Sequence, residues 1–472
     1  MGETLQPVSP RFNRSLRIES RADRLTGDPG AILLREVLEG SGIVDWMAAR
    51  MVDPRRQEDV THDLASLLRT SILLAAQGWR DQDDADALRH DPAFRLATKS
   101  AAGVTPLSGP GLASQPTLSR VTAALAAPTN LQVLHAAVLE LAGRGIRAER
   151  GGQRAKCLTL DVDSAPLEVH GHQPKAEWNG HYAARIYHPL ITSIAETGDM
   201  LDARLRPGNV GTADGALDVI LDVVDRAQKS LCEVAMVRID AGFPSAALLA
   251  GLEARKIDYV SRLRSNTVLE RAAEPYLKRP PGRRPLEPRM WLHELRYQAD
   301  SWDKPRRVIL VVKEREGDLL FDHFFLVTSR PWTEQARSEV LAHYRERGKA
   351  EGHMGELKDV LAPALSSTNR AKSHWRGRKP KAVTPAVDAF ACNEVRLLIA
   401  CLAYEVMHIA RRAMARATGT GWSLRRLRER VLRAGARLTV SARRMTLALS
   451  AAAAPFWAAI WPQITALHWA DP

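Results

Sequence analysis

Two short runs constrain the fold of this chain more than any other feature. Between Lys156 and Ser164, Leu158, Leu160 and Val162 alternate with Thr159, Asp161 and Asp163, the period-2 pattern of a half-buried strand. Asp161 and Asp163 therefore share one face and project from the strand's end. From Val234 to Ile239 the residues are apolar almost throughout, as in a central strand covered on both faces. That run stops on Asp240, with Gly242 two residues later. Either aspartate alone reads equally as the strand-terminating residue of a turn.

The segments between and after these runs supply an order. His181 to Ile191 and Met200 to Arg206 read as strands, separated by the hairpin-like connection Glu196-Thr197-Gly198-Asp199. Ala213 to Gln228 reads as a helix with Val219, Ile220, Val223 and Val224 on one side. The Asp240 strand follows, then a helix from Ser245 to Lys256 and a strand from Ile257 to Arg262. The order β-β-β-α-β-α-β is that of the ribonuclease-H-like fold, in which the first and fourth strands lie side by side and bring their acids together.

A third acid comes from a stripe of side chains. Tyr344, Arg347, Glu351 and Lys358 follow the spacing Y-x2-R-x3-E-x6-K, and on one continuous helix they fall within roughly 60° of one another. Gly348 and Gly355 lie on the same face and leave it open to something bulky. A solvated helix with charges at i, i+4 spacing has the same look. Together with Asp163 and Asp240, however, Glu351 makes three carboxylates on three separate elements, a cage suited to two hard divalent cations.

Composition agrees with a polyanionic partner. The chain has 472 residues and a formal net charge of +13, enough for roughly two to four domains and a field that attracts DNA. Basic residues cluster at Lys278 to Arg289 (Lys278, Arg279, Arg283, Arg284, Arg289) and at Arg370 to Lys381 around Trp375. A further basic segment, Arg425 to Arg437, reads as an arginine-rich helix. Cys157, Cys232, Cys392 and Cys401 lack CxxC spacing and read as free buried thiols of a reducing cytosol, with no zinc site. Met1-Gly2-Glu3-Thr4 carries no signal-peptide core. Leu397 to Met407 and Leu447 to Trp461 are too short to span a membrane and are interrupted by Glu405 and Pro455. The expectation is a soluble cytoplasmic protein, associated with the nucleoid when on DNA, with no membrane partner.

The chain then divides as follows. Residues 1–150 read as a helical N-terminal DNA-binding domain, with a Pro/Gly/Ser linker from Pro106 to Pro116. Thr117 to Ala126 either packs as a plain helix or serves as the second helix of a helix-turn-helix, offering Gln115, Thr117 and Arg120 to base edges. The acidic run Asp81 to Asp86 lacks the glycine turn and terminal glutamate of a calcium loop and reads as a helix N-terminus or acidic surface. Residues 151–265 and 335–385 make the catalytic core. It is interrupted by a β-rich insertion, 266–334, in which Arg306 to Val312 pairs with Phe321 to Val327 around Arg315-Glu316-Gly317-Asp318. Residues 386–472 return to helix, with Val395, Leu398, Ile399, Leu402 and Val406 facing the sheet.

Beyond these acids, several stretches resemble one family. They are Leu160-Asp161-Val162-Asp163, His170-Gly171-His172-Gln173, Tyr187-His188-Pro189-Leu190, Leu205-Arg206-Pro207-Gly208-Asn209, Asp240-Ala241-Gly242-Phe243, Asp258-Tyr259-Val260 and Leu402-Ala403-Tyr404. Gly78-Trp79-Arg80-Asp81 and Leu112 to Arg120 add to them. With the signature around Glu351, the chain resembles the DDE transposases of bacterial insertion sequences, and most of all their thirteen-eighty group. The resemblance implies a two-metal nuclease and strand transferase that acts on double-stranded DNA, both transposon ends and target, as a dimer on DNA. Asp163, Asp240 and Glu351 would hold two Mg²⁺ or Mn²⁺ ions, and Tyr344, Arg347 and Lys358 would hold DNA phosphates. Asp161 is an alternative acid, or a partner supporting the others. A catalytically silent DNA-binding regulator and a ribonuclease-H-like nuclease without transposition are the alternatives. The chain departs from the pattern at Ser164-Ala165, where relatives have a nearby threonine, and at Glu405, where they often carry asparagine. Hairpin-forming relatives capture a flipped base on a tryptophan, a role left open here among Trp178, Trp291, Trp302 and Trp332.

Overall fold

The computed structural model describes residues 6–279, 287–316, 320–331, 335–369, 388–442 and 444–469. Arg283, Arg284, Trp332 and the basic run from Arg370 to Lys381, like Gly317-Asp318 of the expected turn, lie outside them.

A single mixed sheet of eight strands organises the chain. The strands are β1 (Cys157–Ser164), β2 (Leu190–Ile194), β3 (Met200–Arg204), β4 (Glu233–Ile239), β5 (Asp258–Leu263), β6 (Arg289–Tyr297), β7 (Arg306–Glu314) and β8 (Asp322–Thr328). Their spatial order is β6-β7-β8-β5-β4-β1-β2-β3. β4 runs parallel to both β1 and β5, while β2 and β3 continue antiparallel from β1. The segment expected as an insertion adds to this same sheet, because β8 pairs antiparallel with β5.

The alternation in β1 fixes which face each layer covers. Leu158, Leu160 and Val162 join a core with Val237 and Ile239 beneath α2 (Ala216–Ser230) and α3 (Ala246–Ala254). On α2, Ile220, Val223, Val224 and Ala227 are buried, the i, i+3, i+4, i+7 stripe of a one-sided helix. The opposite face, with Met236 and Val260, is covered by Val340 and Leu341 of α4 (Arg337–Arg345). Asp161 and Asp163 point to that second face. β3 packs against α1 (Pro128–Glu149) and α6 (Ala389–Thr418). α6 is also the axis around which N-terminal helices 30–41, 64–77 and 115–125 and the C-terminal helix 454–465 pack.

Some expectations are corrected. The segment from His181 to Ile191 is not one strand: Ala184–Tyr187 pairs with Leu167–Glu168 and Glu177–Asn179 in a small separate sheet. β2 begins only at Leu190, since Pro189 offers no N–H to a ladder. The arginine-rich helix is short. It runs from Leu424 through a π turn to Leu432, and Arg437 lies in the strand Ala436–Ser441 of a hairpin that also pairs with Arg24–Thr26. Arg428 is buried, donating to the carbonyls of Ala76 and Val360 at 2.9 and 2.6 Å, so it serves packing and not phosphate. Cys157 is exposed and Cys232 half-buried. Among the described residues no single helix is long and apolar enough to cross a membrane.

Glu405 sits fully buried in the middle of α6. Its carboxyl accepts the Met200 N–H at 2.6 Å, next to a buried Asp199 that Arg412 holds at 2.6 Å. Burial, and then the charge of Asp199, push Glu405 well above the usual carboxylate range. Burial thus favours its neutral form, and a neutral carboxyl hydrogen-bonds much as an amide does. Because its folded pKa exceeds the unfolded one, wild-type stability falls as pH rises toward that folded value, a loss that glutamine does not share. Glu405→Gln is expected to fold normally and to gain in melting temperature relative to wild type from about pH 5 to about pH 8; calorimetry at both ends reads this.

Candidate active site

β1 and β4 run in register, with Asp161 opposite Arg238 and Val162 opposite Ile239. One residue further on stand Asp163, still paired with Ile191 of β2, and Asp240, just past the end of β4. The third acid, Glu351, comes from α5 (Gly348–Glu356), which follows α4 across a short break. All three converge on one guanidinium. Arg347 Nη2 lies 3.0 Å from Asp163 Oδ2 and 3.8 Å from Asp240 Oδ2, and its Nη1 lies 3.2 Å from Glu351 Oε1.

Three carboxylates against one guanidinium leave the cluster short of positive charge. Burial pushes Asp163 up to about 6, with the charges of Asp240 and Glu351 adding to the rise and Arg347 opposing it. The Tyr344 hydroxyl stands 3.4 Å from Asp240 Oδ1. Burial and that carboxylate hold the phenol at about 12, so Tyr344 remains a neutral donor.

Asp161 is not free to act as an acid of the centre. It is 1% exposed, and both its oxygens accept from Arg238, from Nε and Nη2 at 2.6 Å each, a bidentate fork. Arg238 Nη1 reaches further, to the carbonyl of His343 at 2.9 Å and to Glu346. In an unbroken helix the His343 carbonyl would accept from the Arg347 N–H; here that N–H turns to Tyr344 O at 3.1 Å. Arg238 thus breaks the expected single helix between α4 and α5 and sets where Arg347 departs. Sequence reading overlooked Arg238, although a charged residue within an apolar run, level with an aspartate on the next strand, was the available sign.

A cleft of about 580 Å³ opens beside Asp163 and Asp240. The stretches that carried the resemblance build its frame. Arg206, buried, ties the loop together through the carbonyls of His188, Thr212 and Asp214 at 2.9, 3.0 and 2.7 Å. Gly208 lies so close to the 177–187 hairpin that a Cβ would stand 2.1 Å from Ile186 O, and one on Gly242 would meet Thr212 at 2.6 Å. On the rim stand Trp178, which is 63% exposed, and Tyr182, with Arg264 across the cleft. Trp302 is buried and Trp291 packs on Phe321, so of the described candidate tryptophans only Trp178 presents its ring to the cleft.

The remaining expected residues lie elsewhere. Lys358 is exposed on a π turn, 357–361, beyond α5, so the stripe is interrupted twice. Gln115 and Thr117 are half-buried at the start of helix 115–125, whose Leu118, Val121 and Leu125 pack inward, and only Arg120 is exposed. The preceding helix, 105–108, has four residues, too few for the first half of a helix-turn-helix.

Among the described residues no three His, Cys, Asp or Glu side chains already form a metal cluster; Arg347 stands between the acids. The donor set nevertheless fits hard divalent cations: oxygen ligands only, open to the solvent at Asp240 and Glu351, and carrying more negative charge than their arginine balances.

The family model described as "Transposase DDE domain group 1" matches residues 8–376 and 383–467. No curated protein matches the chain. A solved structure of the piggyBac transposase synaptic complex with hairpin DNA is similar at 13% identity, covering 90% of this chain and 81% of that one, with a TM-score of 0.40.

Asp161→Asn, which removes the buried carboxylate of this pair and leaves Arg238 only the half-exposed Glu346, is expected to cost roughly 3–5 kcal/mol. Replacing both partners by apolar residues, Asp161→Leu with Arg238→Met, is expected to cost less than either single change. Urea unfolding of the three variants decides it.

Proposed function

Because this chain belongs to the family of DDE-domain transposases, we propose that it is the transposase of a bacterial insertion sequence of the thirteen-eighty group, cutting its element at the terminal inverted repeats and joining it to a target. The observation that carries this reading is the convergence of Asp163, Asp240 and Glu351 on Arg347 at the wall of an open cleft. In this reading β1 to β5 with α2 and α3 form a ribonuclease-H-like core, joined with 335–385 and interrupted by 266–334; the helical flank 1–150 holds DNA, and the C-terminal region 386–472 packs against the core.

Asp163, Asp240 and Glu351 would hold two divalent cations, Mg²⁺ or Mn²⁺. When bound, the cations would activate a water or a DNA 3′-hydroxyl as nucleophile and would stabilise the leaving oxygen. The protein's own part is positioning. Asp163 and Asp240, fixed by adjacent strands, set the spacing of the centre. Arg347, once its carboxylates are engaged elsewhere, offers its planar fork to a phosphate next to the cut. Tyr344 donates its hydroxyl while leaving Asp240 charged. Lys358, exposed two residues beyond α5, reaches the backbone as a point charge. Exposed arginines, Arg120 among them, supply the sequence-independent attraction. Trp178 at the rim offers a face on which an unstacked base rests, the geometry that a hairpin route uses. Concerted cutting of two ends calls for a dimer on DNA.

The test is cleavage of a labelled duplex built from the DNA bordering the gene, with Mg²⁺ or Mn²⁺. Wild type is expected to nick at the element end, while Glu351→Gln and Asp240→Asn bind the duplex and do not cut. Cutting that survives both substitutions removes these residues from the centre, and binding without cutting by wild type favours the silent-regulator alternative. On the same duplex, Trp178→Ala is expected to lose about tenfold or more in rate, since stacking one base is worth roughly 1–3 kcal/mol. Trp178→Phe is expected to keep most of it; equal rates for Trp178→Ala and wild type remove the stacking role.

A further inference from the structure

α5 carries Glu351 but has little reason of its own to stay in place. Gly352 and Gly355 lie within it, and glycine is the weakest helix former after proline. At Gly348, Gly352 and Gly355 an added Cβ would meet nothing within 4 Å, so nothing packs over those positions. Its orientation must come from its other side, where Ala350 and Met354 are buried in the helical core and where the structure also has a built polar contact.

His353 lies two residues after Glu351, roughly 200° around the helix, so the two side chains leave on opposite sides. The His353 ring sits against Gly198 in the turn between β2 and β3. Gly198 has φ +80°, and a Cβ there would stand 2.4 Å from His353 Nε2. The wholly buried Tyr404 of α6 donates its hydroxyl to Gly198 O at 3.0 Å, and the Tyr404 hydroxyl oxygen lies 3.3 Å from His353 Nδ1. His408 stacks on Tyr404 and lies, by Nε2, 2.9 Å from Thr197 O. At the end of α5, Glu356 pairs with Arg411 and accepts the Leu424 N–H at 2.7 Å.

The same turn is tied to the strand that carries Asp163. Glu196, two residues before Gly198, accepts the Thr159 N–H of β1 at 2.9 Å. One four-residue turn therefore touches both β1 and α5, the elements bearing Asp163 and Glu351. We propose that His353, seated on Gly198 and Tyr404, is a positioning residue that fixes the rotation of α5 and so aims Glu351 at Asp163 and Asp240. The inference rests on the reading of Glu351 as an acid of the cutting centre. No ionisation of His353 is involved; the ring acts by shape and through Nδ1, which faces the Tyr404 hydroxyl and, at 3.4 Å, Arg411 Nη2.

The experiment measures kcat and duplex affinity separately, using the labelled duplex with Mg²⁺ for cutting and with Ca²⁺ for binding. His353→Ala is expected to lower kcat by about 10- to 100-fold, as a small misplacement of a reacting group does, with affinity within about twofold of wild type. His353→Asn, whose amide reaches where Nδ1 stood, is expected to recover most of the rate. Tyr404→Phe, which keeps the ring in the core and removes only the hydroxyl, is expected to lower kcat in the same direction with affinity unchanged. Wild-type kcat in both His353→Ala and Tyr404→Phe overturns the proposal. So does a loss of kcat, affinity and melting temperature together that asparagine does not restore. If Glu351→Gln cuts at the wild-type rate, the reading of the centre has failed. If Glu351→Gln is inactive while His353→Ala is fully active, only the positioning role has failed.

Discussion

Three carboxylates drawn together at the end of a sheet cannot stay so without positive charge among them, and in this protein one guanidinium provides it. Arg347 touches Asp163, Asp240 and Glu351 from two of its nitrogens. Like charges at this range repel in a partly desolvated site; burial raises the Asp163 pKa most, and the charges of Asp240 and Glu351 add to that rise. One positive charge against three negative ones leaves a site with an appetite for further cations. It also leaves an arginine whose fork would be free for another anion if cations took its place among the carboxylates. Charge balance thus links the two halves of the proposed chemistry, cation holding and phosphate holding.

A second guanidinium makes that arrangement possible. Arg238 is buried in a central strand, paired with Asp161 on one side and hooked to the His343 carbonyl on the other. The pairing secures β1 against β4 two residues before each catalytic candidate. The hook redirects the helix so that Arg347 emerges over the acids. The sheet sets the aspartates, while the helix break and the turn behind α5 set Arg347 and Glu351.

Much of this was legible in the chain. The period-2 alternation at Leu158 to Asp163 and the apolar run ending at Asp240 locate two acids at neighbouring strand ends, and the structure puts them there. The spacing of Tyr344, Arg347 and Glu351 brings those three to one place. What stayed hidden depends on partners distant in sequence. Asp161 could not be separated from Asp163 by pattern, because both lie on the same face; only the burial of Arg238 separates them. The helix break arises from competition for one carbonyl, which no local propensity encodes. The hairpin at 436–449 was missed because leucines and arginines from 424 onward repeat with a helix-like spacing, while tertiary pairing with Arg24–Thr26 draws part of that stretch into strand. Pro189, by contrast, was a visible sign that the strand His181 to Ile191 could not run unbroken.

The most direct test of the account is a count of bound cations. Electron paramagnetic resonance of Mn²⁺ titrated into the metal-free protein, without DNA, reports binding independently of any cutting. The account predicts that wild type takes up Mn²⁺ and that Asp240→Asn loses that uptake while remaining folded. Undiminished Mn²⁺ binding in Asp240→Asn would contradict it, because the three acids would then not be the centre toward which the rest of the fold is arranged.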